Sequence, residues 1–293
     1  MYDRLLVPVD DTDGARAALA HAVAVAGDTD AIIDVVNVVE TTRLAALLGT
    51  ADEATARERA KDLLTDLSAG LDHGDTSLRT YVAEGRPARA IRDIAREKDN
   101  DLLAMGRHGP HGVRERALGS VTDRVLRRAE RPVLTVRGET VPDPSEIEVD
   151  AVLLPTDGSE AAEAAADDAA ELAARFDATV HVVSALDLQR EGGVFDAGGL
   201  PPEFVDRVEE RHHEAVDRLA DHLREHGDTP VETGVERGSP HAVLGEYVDD
   251  HGIDLVVMGR EGRGAVEEGL LGSVTTRVLR TVAEPVVVVP AET

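Results

Sequence analysis

Four residues of fixed type and spacing occur twice in this chain. Gly106, Gly109, Gly119 and Ser120 form one set, Gly259, Gly262, Gly272 and Ser273 the other, each reading Gly-x2-Gly-x9-Gly-Ser. Both follow a short apolar run ending in methionine, Asp101-Leu102-Leu103-Ala104-Met105 and Asp254-Leu255-Val256-Val257-Met258. Glycine has no Cβ, so a backbone carrying it at intervals can approach a ligand closely. A Gly-Ser that opens a helix turns unpaired N–H groups and the positive end of the helix dipole towards an anion. One such surface charge gains about 0.3–1 kcal/mol, and several N–H groups together hold a phosphate chain without lysine. A second candidate group is the acid that ends the first apolar run of each half, in Pro8-Val9-Asp10 and Pro155-Thr156-Asp157.

Each of these residues also has a plainer reading. Asp10 and Asp157 either face a ligand or cap the next helix, a job for which Asp11, Thr12, Asp13 and Ser159 are also available. Ser120 and Ser273 read as N-caps, which is compatible with phosphate contact. Arg107 and Arg260 are either solvated loop charges or phosphate partners. His108 and His111 could hold a metal, but the second copy has Glu261 and Gly264 in their places. His212 and His213 are expected on an exposed helical face. Neither lysine follows a glycine, so there is no Walker A loop, and no Gly-x-Ser-x-Gly nucleophile elbow or His-Glu-x-x-His zinc helix occurs.

The elements that must position these residues are themselves duplicated. At a shift of 153, Gly85-Arg86-Pro87 meets Gly238-Ser239-Pro240, and Leu118-Gly119-Ser120-Val121-Thr122 meets Leu271-Gly272-Ser273-Val274-Thr275. Near the start of each half the shift is 147, which places about six extra residues in the Gly- and Pro-rich segment 192–202. Apolar runs at 5–9, 31–39, 77–83, 101–105 and 133–137 predict strands; periodic segments at 15–26, 51–69, 88–98 and 120–128 predict helices. The second copy repeats the strands near 151–155, 179–185, 231–235, 253–258 and 286–289. Alternating strand and helix predicts an α/β fold with helices on both faces of a parallel sheet. Two tandem domains are expected, 1–138 and 150–293, joined by a linker at 139–149. Ligands of such sheets sit beyond the carboxyl ends of the strands where the strand order reverses.

Composition bounds the partners. The 293 residues carry 58 acids and 31 bases, a formal net charge of -27. Residues 1–145 account for -5 and residues 146–293 for -22. Lys61 and Lys98 are the only lysines. This charge disfavours nucleic acid, whose binding rests on phosphate contacts. A folded, acidic, lysine-poor chain resembles the proteins of salt-in halophiles, since at about 1 M salt the screening length is roughly 3 Å. The absence of cysteine excludes disulfides and thiolate sites. With no signal-peptide profile and no apolar stretch of spanning length, a cytoplasmic protein without membrane contact is expected.

The residues quoted resemble the universal stress protein family, in the branch whose Gly-x2-Gly-x9-Gly-Ser loop marks ATP binding. The resemblance covers nearly the whole chain as two tandem domains and implies a five-stranded parallel sheet of order 3-2-1-4-5 in each. It implies that Pro8, Val9 and Asp10 line the adenosine end of a pocket, that Val38 offers its backbone to adenine, and that Met105 and Gly106 flank the ribose. Gly109, Gly119, Ser120, Val121 and Thr122 would cradle the phosphates. The matching set is Pro155, Thr156, Asp157, Ala185, Met258, Gly259, Gly262, Gly272, Ser273, Val274 and Thr275. The resemblance implies ATP, accompanied by Mg2+, as ligand, a sensor or regulator role with slow hydrolysis at most, and an unknown protein effector. It also implies pairing through the last strands, either between the two halves or in a homodimer. Arg114 and Arg116 in the first loop face Glu267, Glu268 and Gly269 in the second, so tighter ATP binding is expected at the first site.

Overall fold

The uninterrupted apolar runs become strands covered on both faces. Leu5, Leu6, Val7, Leu102, Leu103 and Ala104 are each at most 1% exposed, the pattern of a parallel sheet enclosed by helices. The computed structural model describes residues 2–27, 29–40, 53–74, 76–107, 118–192, 201–262 and 270–291. They fall into two units, Met1–Ile147 and Glu148–Thr293.

The first unit runs β1 (Arg4–Pro8), α1 (Asp13–Ala26), β2 (Ile32–Glu40), α2 (Glu53–Gly70), β3 (Ser77–Gly85), α3 (Pro87–Glu97), β4 (Leu102–Gly106), α4 (Ser120–Leu126) and β5 (Val133–Val136), then a 3-10 turn, Pro144–Glu146. The second runs β6 (Ala151–Pro155), α5 (Glu160–Phe176), β7 (Thr179–Leu186), α6 (Leu188–Gly192), α7 (Pro202–His226), β8 (Val231–Arg237), α8 (Pro240–His251), β9 (Leu255–Gly259), α9 (Ser273–Thr281) and β10 (Val286–Val289). Within each unit the order is β3-β2-β1-β4-β5 or its equivalent β8-β7-β6-β9-β10, with every pairing parallel. The parallel α/β sheets are those expected from the pattern, and the strand order is the one the family resemblance implies. The short α6, at the start of the inserted segment, was not expected; residues 193–200 lie outside the described residues.

An aspartate sets the register at the base of each sheet. The Asp101 carboxylate accepts from the N–H of Asp3 at 2.7 Å and of Arg4 at 3.2 Å. Asp254 does the same for Asp150 at 2.9 Å and Ala151 at 3.1 Å. Burial pushes the Asp101 carboxyl up despite these bonds. Elsewhere the two bases differ. In the first unit the fully buried Asp34 accepts from Arg4 Nε at 2.7 Å and Asn100 Nδ2 at 3.0 Å. Burial opposes its ionisation, but the Arg4 and Asn100 bonds outweigh it and hold the carboxyl below its usual range. The second unit has His181 at the aligned position, with Nδ1 3.1 Å from the Tyr247 hydroxyl and Tyr247 stacked on His251 at 3.8 Å.

Candidate functional site

In each unit the strand order reverses between the first and fourth strands, β1 and β4 or β6 and β9, and their carboxyl ends open a crevice. In the second unit this crevice is a cavity of about 680 Å³, within the range of small-molecule sites. Pro155, Thr156 and Asp157 enter it from the end of β6, Ala185 from β7 and Asp187 just after it, Met258 and Gly259 from β9 and Gly262 from the loop that follows, and Gly272, Ser273, Val274 and Thr275 from the cap and first turn of α9. Of the residues expected in this copy, only Arg260 is not part of the lining; its Nε lies 3.3 Å from the Glu261 carboxylate. In the first unit Pro8 ends β1 and Val9 and Asp10 follow it, Val38 lies near the end of β2, Met105 and Gly106 end β4, and Gly119 to Thr122 open α4. Gly109, with His108, His111, Arg114 and Arg116, lies outside the described residues. So do Gly264, Glu267, Glu268 and Gly269 of the second loop.

The glycines divide into distinct jobs. A Cβ at Gly259 would fall 2.4 Å from the Ala161 carbonyl oxygen, and one at Gly106 would fall 2.7 Å from the Gly14 carbonyl carbon. The first motif glycine therefore lets the fourth strand press against the opening turn of the first helix. A Cβ at Gly262 would fall 2.6 Å from Asp157 Oδ2. The second glycine thus brings the loop backbone against the acid at the end of β6, and the two sequence signals converge in space. The third glycine closes the loop: the Gly119 N–H donates to the Arg107 carbonyl at 2.5 Å, and the Gly272 N–H to the Arg260 carbonyl at 2.9 Å.

Two expectations about the helix opening need correction. Ser120 and Ser273 are not N-caps. The caps are Gly119 and Gly272, which carry no side chain to bond, and the serines are the first helical residues. In α9 the ladder begins with the Thr276 N–H donating to the Gly272 carbonyl at 2.9 Å. The N–H groups of Ser273, Val274 and Thr275 precede it and meet no acceptor among the described residues, so the helix opens on the cavity uncapped. The Thr122 hydroxyl donates to the Gly106 carbonyl at 2.7 Å and the Thr275 hydroxyl to the Gly259 carbonyl at 3.1 Å. These hydroxyls hold the strand end, leaving the backbone N–H groups and the serine hydroxyl of the helix opening to face a ligand. Asp10 and Asp157 are not the caps of the following helices; Thr12 and Ser159 fill that role. Asp157 Oδ1 accepts from the Ser159 N–H at 3.0 Å. Arg107 is no solvated charge, being fully buried.

His212 also departs from expectation. It is 6% exposed and lines the cavity rather than an exposed face, while His213 is exposed. The Ser184 hydroxyl donates to the Thr156 carbonyl at 2.7 Å and has His212 Nδ1 at 2.7 Å. Its one proton being committed, the Ser184 oxygen accepts, which assigns the proton to His212 Nδ1. His212 Nε2 lies 3.9 Å from Glu191. The first unit meets the same strand-end carbonyl with one residue, Asn37 donating to Val9 at 2.8 Å. The signal for His212 was its period: with Val208, Ala215, Val216, Leu219 and Leu223 it lies on the buried stripe of α7. Electrostatically the cavity carries Asp157, Asp187, Glu191 and Glu261 against Arg190.

The family model for universal stress proteins matches residues 1–137 and again 148–290. The chain belongs to the universal stress protein family. A universal stress protein of Mycolicibacterium smegmatis is 29% identical over 299 residues, covering 97% of this chain and 96% of its own. One from Methanocaldococcus jannaschii is 28% identical over 141 residues, 47% of this chain and 83% of its own. The crystal structure of a universal stress protein from Archaeoglobus fulgidus shares the fold with a TM-score of 0.69 at 20% identity, over 98% of this chain and 96% of that one. Among the described residues of this universal stress protein, no helix is long and apolar enough to cross a membrane. No group of three or more His, Asp or Glu among them is arranged to hold a metal ion.

Proposed function

We propose that this universal stress protein binds ATP in the crevice of each unit and acts as a nucleotide-dependent sensor or regulator in a stress response. The observation that carries the reading is the cavity of about 680 Å³ in the second unit, which gathers the acid after the first strand, the glycine loop and an uncapped helix opening around one space. In the proposed pose the adenine lies by the backbone of Ala185 (Val38 in the first unit), and the ribose by Met258 (Met105). The phosphates lie on the N–H groups of Ser273, Val274 and Thr275 (Ser120, Val121 and Thr122). Among the described residues, four carboxylates in the lining against one arginine favour a triphosphate that arrives with Mg2+, which offsets its charge. Site one, whose loop carries Arg114 and Arg116, is proposed to bind ATP more tightly. The protein is further proposed to work in a high-salt cytoplasm and to pair through its last strands, within one chain or between two.

Calorimetric titration with Mg-ATP tests the reading. Wild type should show two sites, Gly109→Val should lose the tighter one, and Gly262→Val, whose Cβ meets only the far end of the Asp157 side chain, the weaker, melting within a few degrees of wild type. Two unaltered sites in both variants would refute the assignment. Mass spectrometry of the ligand released on denaturation would separate ATP from AMP or a cyclic nucleotide. Single-turnover assays with a cell extract would reveal a slow ATPase completed by a partner.

A further inference from the structure

The first unit has a second cavity that the nucleotide reading does not use. About 650 Å³ in volume, it lies between α3 and α4 and is lined by Arg86, Arg89 and Arg92, at and within the start of α3, and by Arg124, Arg127 and Arg128, from the last turn of α4 and the turn after it. Glu40 is the one carboxylate in its lining among the described residues. We propose that this groove is an anion site for a linear oligophosphate, separate from the glycine-loop crevice.

Three observations support it. The first is unneutralised charge. Arg127 is paired bidentately with Asp123 at 2.8 and 3.0 Å, and Arg89 with Asp93 at 3.3 Å. Arg92 instead donates to the carbonyls of Ala88 at 3.2 Å and Arg128 at 3.5 Å and makes no ion pair among the described residues, although its charge helps hold the Glu130 carboxyl below its usual range. Arg86, Arg124 and Arg128 meet no carboxylate among the described residues. Arg124 and Arg128 are also four residues apart, a spacing at which like charges repel. Such crowding is surprising in a chain with 58 acids and 31 bases, where counter-ions are abundant. Arg96, outside the groove, takes Glu130 at 2.5 Å.

The second observation is an internal control. The aligned positions of the second unit are Ser239, Ala242, Gly245, Arg277, Arg280 and Thr281. Four of the six arginines are gone, and Arg277 Nη1 has His241 Nδ1 at 3.4 Å. The same helices form in both units, so the fold does not require the arginines.

The third is placement and shape. Arg127 and Arg128 lie seven and eight residues beyond Ser120, roughly 10 Å along a chain rising 1.5 Å per residue, away from the glycine loop. The planar guanidinium fork matches phosphate oxygens bidentately and stays charged at every working pH. A cluster of several such forks in a small-molecule-sized space suits a chain of phosphates better than a single carboxylate, and its limited volume excludes a nucleic-acid duplex.

The test titrates the full chain with inorganic tripolyphosphate, comparing wild type, R86Q/R124Q/R128Q, R86K/R124K/R128K and R277Q/R280Q. The three first-unit positions are exposed, so melting temperatures should stay together. The glutamine triple should weaken tripolyphosphate binding at least tenfold with Mg-ATP binding unchanged, the lysine triple by less, and the second-unit pair not at all. Wild-type affinity in the glutamine triple, or equal loss in R277Q/R280Q, would overturn the proposal. A nucleoside tetraphosphate forms the second arm. Affinity equal to tripolyphosphate supports an inorganic chain at this site, and a tenfold gain that the glutamine triple abolishes supports a nucleoside-borne one.

Discussion

At the scale of single residues, the motif glycines are not interchangeable. Gly259 faces backbone, 2.4 Å from where its Cβ would lie, whereas Gly262 faces the far end of the Asp157 side chain. Gly259→Ala should therefore destabilise the second unit by about 1–3 kcal/mol or more, as overpacking does. Gly262→Val should melt within a few degrees of wild type yet lose nucleotide. Paired thermal melts and ATP titrations check this, and the reverse order of effects would contradict it. His21 of α1 offers a second test. Burial lowers its pKa from 6.5 to about 4, so the folded chain resists a proton that the unfolded chain accepts. Its neutral form costs nothing above pH 6.5. As pH falls from there through 4, stability is lost, by about 2–3 kcal/mol for a group only partly covered. Urea unfolding at pH 7 and pH 5 should show a smaller loss in His21→Gln than in wild type.

At the scale of elements, the strand that carries Asp34 in one unit carries His181 in the other, and the same sheet tolerates both. Asp34→Ala strands the Arg4 guanidinium, which is 25% exposed, and the Asn100 amide. It should cost about 3 kcal/mol in the first-unit transition of a denaturant titration, while Asp34→Asn should cost less. The alternation of strands and helices was legible in advance because it rests on apolar periodicity, and the duplication because one spacing recurs; the strand order followed only from the family resemblance. The capping roles were not legible, because Gly119-Ser120 as a pattern does not say which residue has helical backbone angles. Burial of Arg107 escaped notice because a lone arginine beside two glycines reads as loop surface. His212 was missed when charge was weighed above its place on the stripe running from Val208 to Leu223. The groove between α3 and α4 was hidden for a different reason: its arginines are spread over 43 residues and only the packing of two helices assembles them.

At the scale of the whole molecule, the charge is unequal, with a net of -5 over residues 1–145 and -22 over residues 146–293. Raising salt from 0.1 to 1 M shortens the screening length from about 10 Å to about 3 Å, which relieves self-repulsion where it is largest. Calorimetry over this range should show the second unit's transition rising by more than the first's; equal shifts would mean that repulsion is not what limits it. Finally, the hydrogen bonds from Gly119 to Arg107 and from Gly272 to Arg260 shut the neck of each glycine loop before the side chains between are consulted. These closing bonds are made by backbone alone, so they do not depend on which side chains lie between. Duplication therefore left this lineage with two replaceable cassettes on one scaffold, one carrying Arg114 and Arg116 and the other Glu267 and Glu268. Under the proposed function, selection would retune one site through its loop while the other, and both folds, stayed as inherited.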